Sequence, residues 1–136
     1  DRNDLYSQNA ALINWRTNDF AITASLGGTK QMIWDYGNTT SSDSRITTSS
    51  LGAFEGIPKI MTFTSRSDNT GEVRINGAVV KSSTILSATI TGTSGTLIIG
   101  TNASGREYKG GLFKILIYNR SFSADEIDNM EQYMGV

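Results

Sequence analysis

Aromatic and polar side chains lie beside loops at two places in the sequence, in a pattern that could bind a sugar. The residues are Trp34, Tyr36, Asn102, Arg106 and Tyr108. The first two lead directly into a polar loop at 38–44, and the other three share a glycine-containing loop. Sugars are held by an aromatic ring stacked on the apolar face of a pyranose, together with amide or guanidinium groups that reach its hydroxyls. We therefore predict that these five residues bind carbohydrate.

Core packing is the alternative role for the aromatic members of this set. Trp34 alternates in phase with Met32, as it would on the buried face of a strand. Tyr108 could equally lie in the core, and Arg106 could be a solvated loop charge. The sequence leaves both roles open for these side chains.

The elements that must position these residues are β-strands, because apolar and polar residues alternate over most of the chain. The runs at 20–26 and 31–36 predict a hairpin. The pair Asn76-Gly77 predicts a second one, since a type I′ turn needs positive φ at both central residues. Further strands are predicted at 45–48, 59–65, 72–75, 78–81, 96–100 and 112–118.

One helix is predicted at the end of the chain. Ser123 and Glu126 have the spacing of a capping box, and Ile127, Met130 and Met134 follow at helical spacing. We therefore predict an all-β, antiparallel jelly-roll β-sandwich with one short C-terminal helix, folding as a single domain over residues 1–136.

Composition excludes several classes of function. The net charge is -1, from 12 basic and 13 acidic residues that are not clustered, so we expect no nucleic-acid partner and no membrane insertion. No cysteine is present to act as a nucleophile or a metal ligand, and no histidine to act as a general base. We therefore predict that the chain is not an enzyme. Because it begins with Asp1 and not Met, we expect a fragment or a processed part of a larger protein.

Two stretches of the second half resemble a known family. Residues 71–80 form a strand, Asn-Gly, strand unit. Near the end, an Ile-Gly pair at 99–100 is followed by a glycine-preceded run that closes with Tyr118-Asn119-Arg120, and then by the capped helix. These features are similar to the laminin G-like branch of the concanavalin A-like lectin and glucanase superfamily. The resemblance implies a jelly-roll fold and a lectin-like function.

The same superfamily includes laminarinase-like glycoside hydrolases, whose carboxylate cluster resembles Glu126, Asp128 and Glu131. Those enzymes need two carboxylates on one face of a strand, at a fixed separation. On a helix, Glu126 and Asp128 would instead point about 200° apart. We therefore do not expect hydrolase activity here.

Calcium is the cofactor that many of these relatives carry, and it requires several oxygen ligands. The candidate ligands are Asp43 with Asp35, and Asp68 beside Asn69. The alternative is that these residues form turns, as Asp and Asn often do. Calcium binding stays open on the sequence, and no metal ligand is assigned.

These observations predict a non-enzymatic, carbohydrate-binding module of an extracellular, cell-surface or virion-surface protein, such as a phage fibre or an adhesin. Its partner would be a surface glycan or a host receptor, and it could act as a homo-oligomer or within a larger assembly. The alternative is a structural assembly or decoration domain that mediates protein–protein contacts in a virion or cell-surface complex.

Overall fold

The computed structural model describes residues 10–15, 20–24, 29–36, 45–51, 58–66, 68–84, 95–101, 108 and 110–135. Strands and one helix account for most of them. In chain order they are β1 (Ala10–Trp15), β2 (Phe20–Ala24), β3 (Met32–Tyr36), β4 (Arg45–Thr47), β5 (Met61–Ser65), β6 (Thr70–Ile75), β7 (Ala78–Thr84), β8 (Leu97–Ile99) and α1 (Ala124–Met134).

The strands form two antiparallel sheets. The larger has the order β4-β3-β2-β1-β8, and the smaller has the order β5-β6-β7. The predicted all-β sandwich with a short C-terminal helix is therefore confirmed. The predicted hairpin of 20–26 and 31–36 is also confirmed in its described part, because β2 pairs with β3.

The core lies between the two sheets. Ile22 pairs with Trp34, and Trp34 pairs with Ile46, so these three side chains share one face of the larger sheet. Val73 of β6 packs against them from the smaller sheet, and all four are buried. Full burial of one such side chain contributes about 1.5–3 kcal/mol, so this cluster stabilises the packing of the two sheets.

Strand β1 was not predicted, and a β-bulge explains why. Its register against β2 shifts between Ala11 and Ile13. The bulge lets the neighbouring residues Leu12 and Ile13 both pack on the core, which interrupts the period-two pattern. Sequence alternation could not identify a strand whose own alternation is broken.

The second predicted hairpin is confirmed. Asn76 and Gly77 connect β6 to β7 with φ angles of 48° and 82°. Both values are positive, as a type I′ turn requires. Asn76 also ties this turn to the residue before β5, because its backbone N–H donates to the Ile60 carbonyl at 2.9 Å and its side-chain Oδ1 accepts from the Ile60 N–H at 2.9 Å.

Helix α1 begins at the predicted capping residues and ends at Gly135. Ser123 Oγ accepts from the Glu126 N–H, and the Glu126 carboxylate accepts from the Ser123 N–H, which completes the capping box. Gly135 ends the helix in the left-handed region at φ 104°. No helix in the described part of the chain has the length and apolar character needed to cross a membrane.

The strand predicted at 112–118 is wrong. These residues are described, but they belong to neither sheet, and Phe113 is 88% exposed. The prediction rested on apolar residues on both faces of the segment, but a strand also needs a neighbour that accepts its backbone hydrogen bonds. None of the described strands pairs with this segment.

Candidate functional site

The candidate site lies where β3 ends and β4 begins. Tyr36 is the last residue of β3, Arg45 is the first of β4, and Asp35 is paired directly with Arg45 across the two strands. The intervening residues 37–44 lie outside the described part of the chain. An aromatic, a carboxylate and a guanidinium group are thus fixed by strands at one end of the larger sheet, with Tyr36 on the face of Trp34 and the two charged groups on the opposite face.

Trp34 belongs to the core, which corrects its prediction as a sugar-stacking residue. Its side chain is 2% exposed, so neither face of the indole is open to a ligand at the surface. The ring makes edge-to-face contacts with Tyr36 and Phe63, at centroid distances of 5.6 and 5.9 Å. Such pairs contribute about 0.5–1.5 kcal/mol each beyond burial. Trp34 therefore acts as a rigid base for Tyr36.

Tyr36 is half-buried and packs against the core cluster. Its ring plane stands at 74° to that of Trp34. The side chain is thus held by the core, while the residue as a whole keeps part of its surface accessible to solvent. Since a tyrosine fixed in this way loses little conformational entropy on binding, Tyr36 is suited to stacking against a ligand.

Asp35 and Arg45 form a two-point ion pair. Arg45 Nε donates to Asp35 Oδ1 at 2.6 Å, and Nη2 donates to Oδ2 at 3.1 Å. Burial raises the pKa of Asp35, against the lowering effect of Arg45, and Asp35 in turn raises the pKa of Arg45. The Arg45 side chain remains 36% exposed.

The sequence did not indicate Arg45 as a site residue. The signal that could have found the pair is the opposite charge of two residues that flank one hairpin loop, since facing residues on neighbouring strands interact. To use this signal, one must know that Asp35 lies opposite Arg45 in the sheet, and the sequence between them does not indicate that register.

Tyr108 also packs against the core and is half-buried. Its backbone N–H donates to the Gly100 carbonyl at 2.7 Å. Its ring lies so close to Gly110 that a Cβ atom at that position would overlap it. Tyr108 is therefore held at the edge of the core, while Asn102 and Arg106 lie outside the described residues, so their predicted role beside it stays a prediction.

The predicted calcium ligands have other partners where they are described. Both oxygens of Asp35 accept from Arg45, and Asp68 Oδ1 accepts from the Thr70 N–H at 2.9 Å within its own turn. Asp43 lies outside the described residues. Across the described ranges, no group of three or more acidic side chains comes together in a way that could hold a metal ion.

The three carboxylates of the helix region stabilise the fold. Glu126 caps α1 and also pairs with Arg120 at 2.9 Å. Hydrogen bonds from Arg120 and from the Ser123 backbone lower its pKa to about 2. A general acid of a glycosidase needs a raised pKa, so Glu126 has the opposite character.

Asp128 and Glu131 both pair with Arg74 of β6. Arg74 Nη2 lies 2.5 Å from Asp128 Oδ1 and 3.1 Å from Glu131 Oε2. Glu131 also accepts from the Thr62 hydroxyl at 2.5 Å. These contacts hold the helix on the outer face of the smaller sheet, on the side opposite Val73.

The chain belongs to the concanavalin A-like lectin/glucanases superfamily, because the laminin G-like family model of that superfamily matches residues 2–128. The chain is also similar to the crystal structure of residues 221–444 of an S-layer domain-containing protein from Clostridium thermocellum, at 22% identity and with a TM-score of 0.41. That similarity covers 92% of this chain and 64% of the other chain. No curated protein matches the chain.

Proposed function

We propose that this chain is a non-enzymatic carbohydrate-binding module that recognises a surface glycan with the β3–β4 end of its larger sheet. The observation that carries the proposal is the position of Tyr36, whose ring rests on buried Trp34 at the end of β3, while the neighbouring ion pair of Asp35 and Arg45 lies on the opposite face of the sheet. We place the module outside the cell or on a virion, as part of an adhesin or a phage fibre. Tyr108, with Asn102 and Arg106, supplies a second set of contacts.

Each group of the site has a part in this binding. The exposed part of the Tyr36 ring stacks against the apolar face of a pyranose. Arg45 lies on the opposite face of the sheet from Tyr36, so it donates to the hydroxyls of a neighbouring sugar where the glycan passes the end of the strands. Asp35 keeps the guanidinium in a fixed orientation. Because the strands and the ion pair hold these groups before the ligand arrives, little ordering is needed on binding.

The proposal does not include catalysis. Glu126 is ionised well below neutral pH and engaged by Arg120, and Asp128 and Glu131 are engaged by Arg74. None of the three is placed to donate a proton to a glycosidic oxygen. A test for hydrolysis of β-glucans should detect no activity, and activity that disappears in Glu126→Gln would contradict this part.

A glycan array followed by calorimetry tests the proposal. We expect saturable binding of at least one oligosaccharide. Tyr36→Ala should lower the affinity about tenfold or more, because the stacking of a flat ligand ring on an aromatic side chain contributes about 1–3 kcal/mol, as it does for nucleic-acid bases. Tyr133→Ala is the matched control, because Tyr133 is an exposed tyrosine of α1 far along the chain from the site. Equal affinities of the two variants, or no binding of any glycan with or without calcium, would refute the proposal.

Assembly is the second candidate function, and exposed apolar side chains favour it. Trp15 pairs with Leu97, and Ile13 pairs with Ile99, at the β1–β8 edge, where Trp15, Leu97 and Ile99 remain partly exposed. Exposed apolar patches commonly mark protein contacts. Light scattering on the purified chain distinguishes the two functions: a stable oligomer that Leu97→Asp dissociates would support assembly, and a monomer would oppose it.

A further inference from the structure

The turn between β6 and β7 contains the one residue pair of the chain in which an asparagine precedes a glycine. In such a pair, the backbone nitrogen of the glycine can attack the side-chain amide carbon of the asparagine, because glycine has no side chain to obstruct the approach. Asn76 is exposed to solvent, so water and hydroxide can reach it. The chemistry of deamidation is therefore available at this turn.

Hydrogen bonds of the fold hold both residues of the pair. The Asn76 side chain is held by the Ile60 N–H, and its own backbone N–H is held by the Ile60 carbonyl. The Gly77 carbonyl accepts from Arg74 Nη2 at 2.8 Å. Strands β6 and β7 close the turn on either side, with Ile75 paired to Ala78. To reach the side-chain carbon, the Gly77 nitrogen would have to leave this arrangement.

We propose that Asn76 is a deamidation site whose reaction is controlled by opening of the β6–β7 hairpin. In the reaction, the Gly77 amide nitrogen loses its proton and bonds to Cγ of Asn76, and the side-chain nitrogen leaves as ammonia. Water then opens the resulting succinimide to an aspartyl or an isoaspartyl residue. No oxidant or reductant takes part.

The two products differ in their effect on the structure. An aspartyl residue keeps the oxygen that accepts from the Ile60 N–H. An isoaspartyl residue adds one backbone carbon to a two-residue turn, which displaces the Gly77 carbonyl from Arg74. Since Arg74 also holds Asp128 and Glu131, the isoaspartyl product loosens the docking of α1.

Peptide mapping by mass spectrometry tests the proposal on the full chain, with electron-transfer fragmentation to separate the two products. The protein is incubated in mildly alkaline buffer, either folded or in concentrated urea. In urea, Asn76 should be the first asparagine to react. In the folded protein its rate should be lower by about tenfold or more, because reaction requires local opening.

Two variants test separately the attack by the Gly77 nitrogen and the hydrogen bond that holds the Asn76 side chain. Gly77→Asn tolerates positive φ and should suppress the reaction in urea while the chain still folds. Ile60→Pro removes the N–H that holds the Asn76 side chain and should raise the rate in the folded protein by about fivefold.

Several outcomes would overturn the proposal. They are equal rates at Asn76 in the folded and denatured chain, earlier reaction of another asparagine in urea, and an unchanged rate in urea for Gly77→Asn. If Ile60→Pro does not fold, the rate in the wild-type chain is measured at urea concentrations below the unfolding transition. It should rise with urea, and a rate independent of urea contradicts control by opening.

Discussion

Replacement of Arg74 by methionine should lower the free energy of unfolding far more than the same replacement of the exposed Arg120. Arg74 connects the outer face of the smaller sheet to α1, and its side chain is 10% exposed while that of Glu131 is 5% exposed. Methionine keeps most of the length and the apolar stem but removes the charge. Glu131 and Glu72 would then remain buried without this counter-charge.

The magnitude follows from distance and burial. At the 3.1 Å separation of Arg74 and Glu131, the Coulomb attraction is about 5 kcal/mol for an effective dielectric constant of about 20. Desolvation offsets part of this attraction. Because removal of one partner leaves the other charge buried and uncompensated, we expect Arg74→Met to lose about 3 kcal/mol and to lower Tm by about 10 °C.

Arg120→Met is the matched control. Arg120 and Glu126 form an ion pair at a similar distance, 2.9 Å, but their side chains are 55% and 44% exposed. Water screens this pair and keeps either charge solvated when the other is removed. Urea unfolding, followed by tryptophan fluorescence, should therefore show a much smaller loss in Arg120→Met than in Arg74→Met.

A double-mutant cycle with Glu131→Gln completes the test. If the two residues interact directly, the double variant should lose about 2 kcal/mol less than the sum of the single losses. Equal stabilities of Arg74→Met and Arg120→Met, or additive losses in the cycle, would refute the view that buried charge holds α1 in place.

Three further predictions concern single sites. Asp35→Asn should lose less stability than Arg74→Met, since burial raises the pKa of Asp35 above its usual 3.8. The folded state therefore binds the Asp35 proton more tightly than the unfolded state does. As the pH falls through the raised pKa toward 3.8, the free energy of unfolding of the wild type should gain a contribution from this group that Asp35→Asn lacks. The Glu126 contribution has the opposite sign: it is present above the usual pKa of 4.5 and is lost as the pH falls toward about 2, so Glu126→Gln should flatten acid unfolding over that interval. Gly110→Ala should lose about 1–3 kcal/mol in urea unfolding because its Cβ overlaps the Tyr108 ring, whereas Gly111→Ala, with only ordinary contacts, should not.

The parts of the fold that the sequence predicted are those governed by local rules. The turn at Asn76-Gly77 depends on the φ angles of two adjacent residues, and the start of α1 depends on Ser123 and Glu126, three residues apart. Both signals are complete within a short stretch of chain. They remain readable without knowledge of any distant contact.

The parts that could not be predicted depend on contacts between distant residues. Arg74 and Glu131 are far apart in sequence, and nothing near either one indicates the other. Segment 112–118 has the apolar residues expected of a strand covered on both sides, yet pairing with a neighbour decides whether a strand forms. The candidate site shows the same limit, because the role of Trp34 depended on which face of β3 the smaller sheet covers.

Mapping of a bound sugar by NMR is the most direct test of the central claim, that the β3–β4 end of the larger sheet recognises carbohydrate. The isotope-labelled chain is titrated with the oligosaccharide that binds best on the array. We expect saturable shifts that are largest for the Tyr36 ring and the Arg45 guanidinium, with little change in α1. Saturable shifts confined to residues 112–118 and α1, or no shift with any sugar, would contradict it.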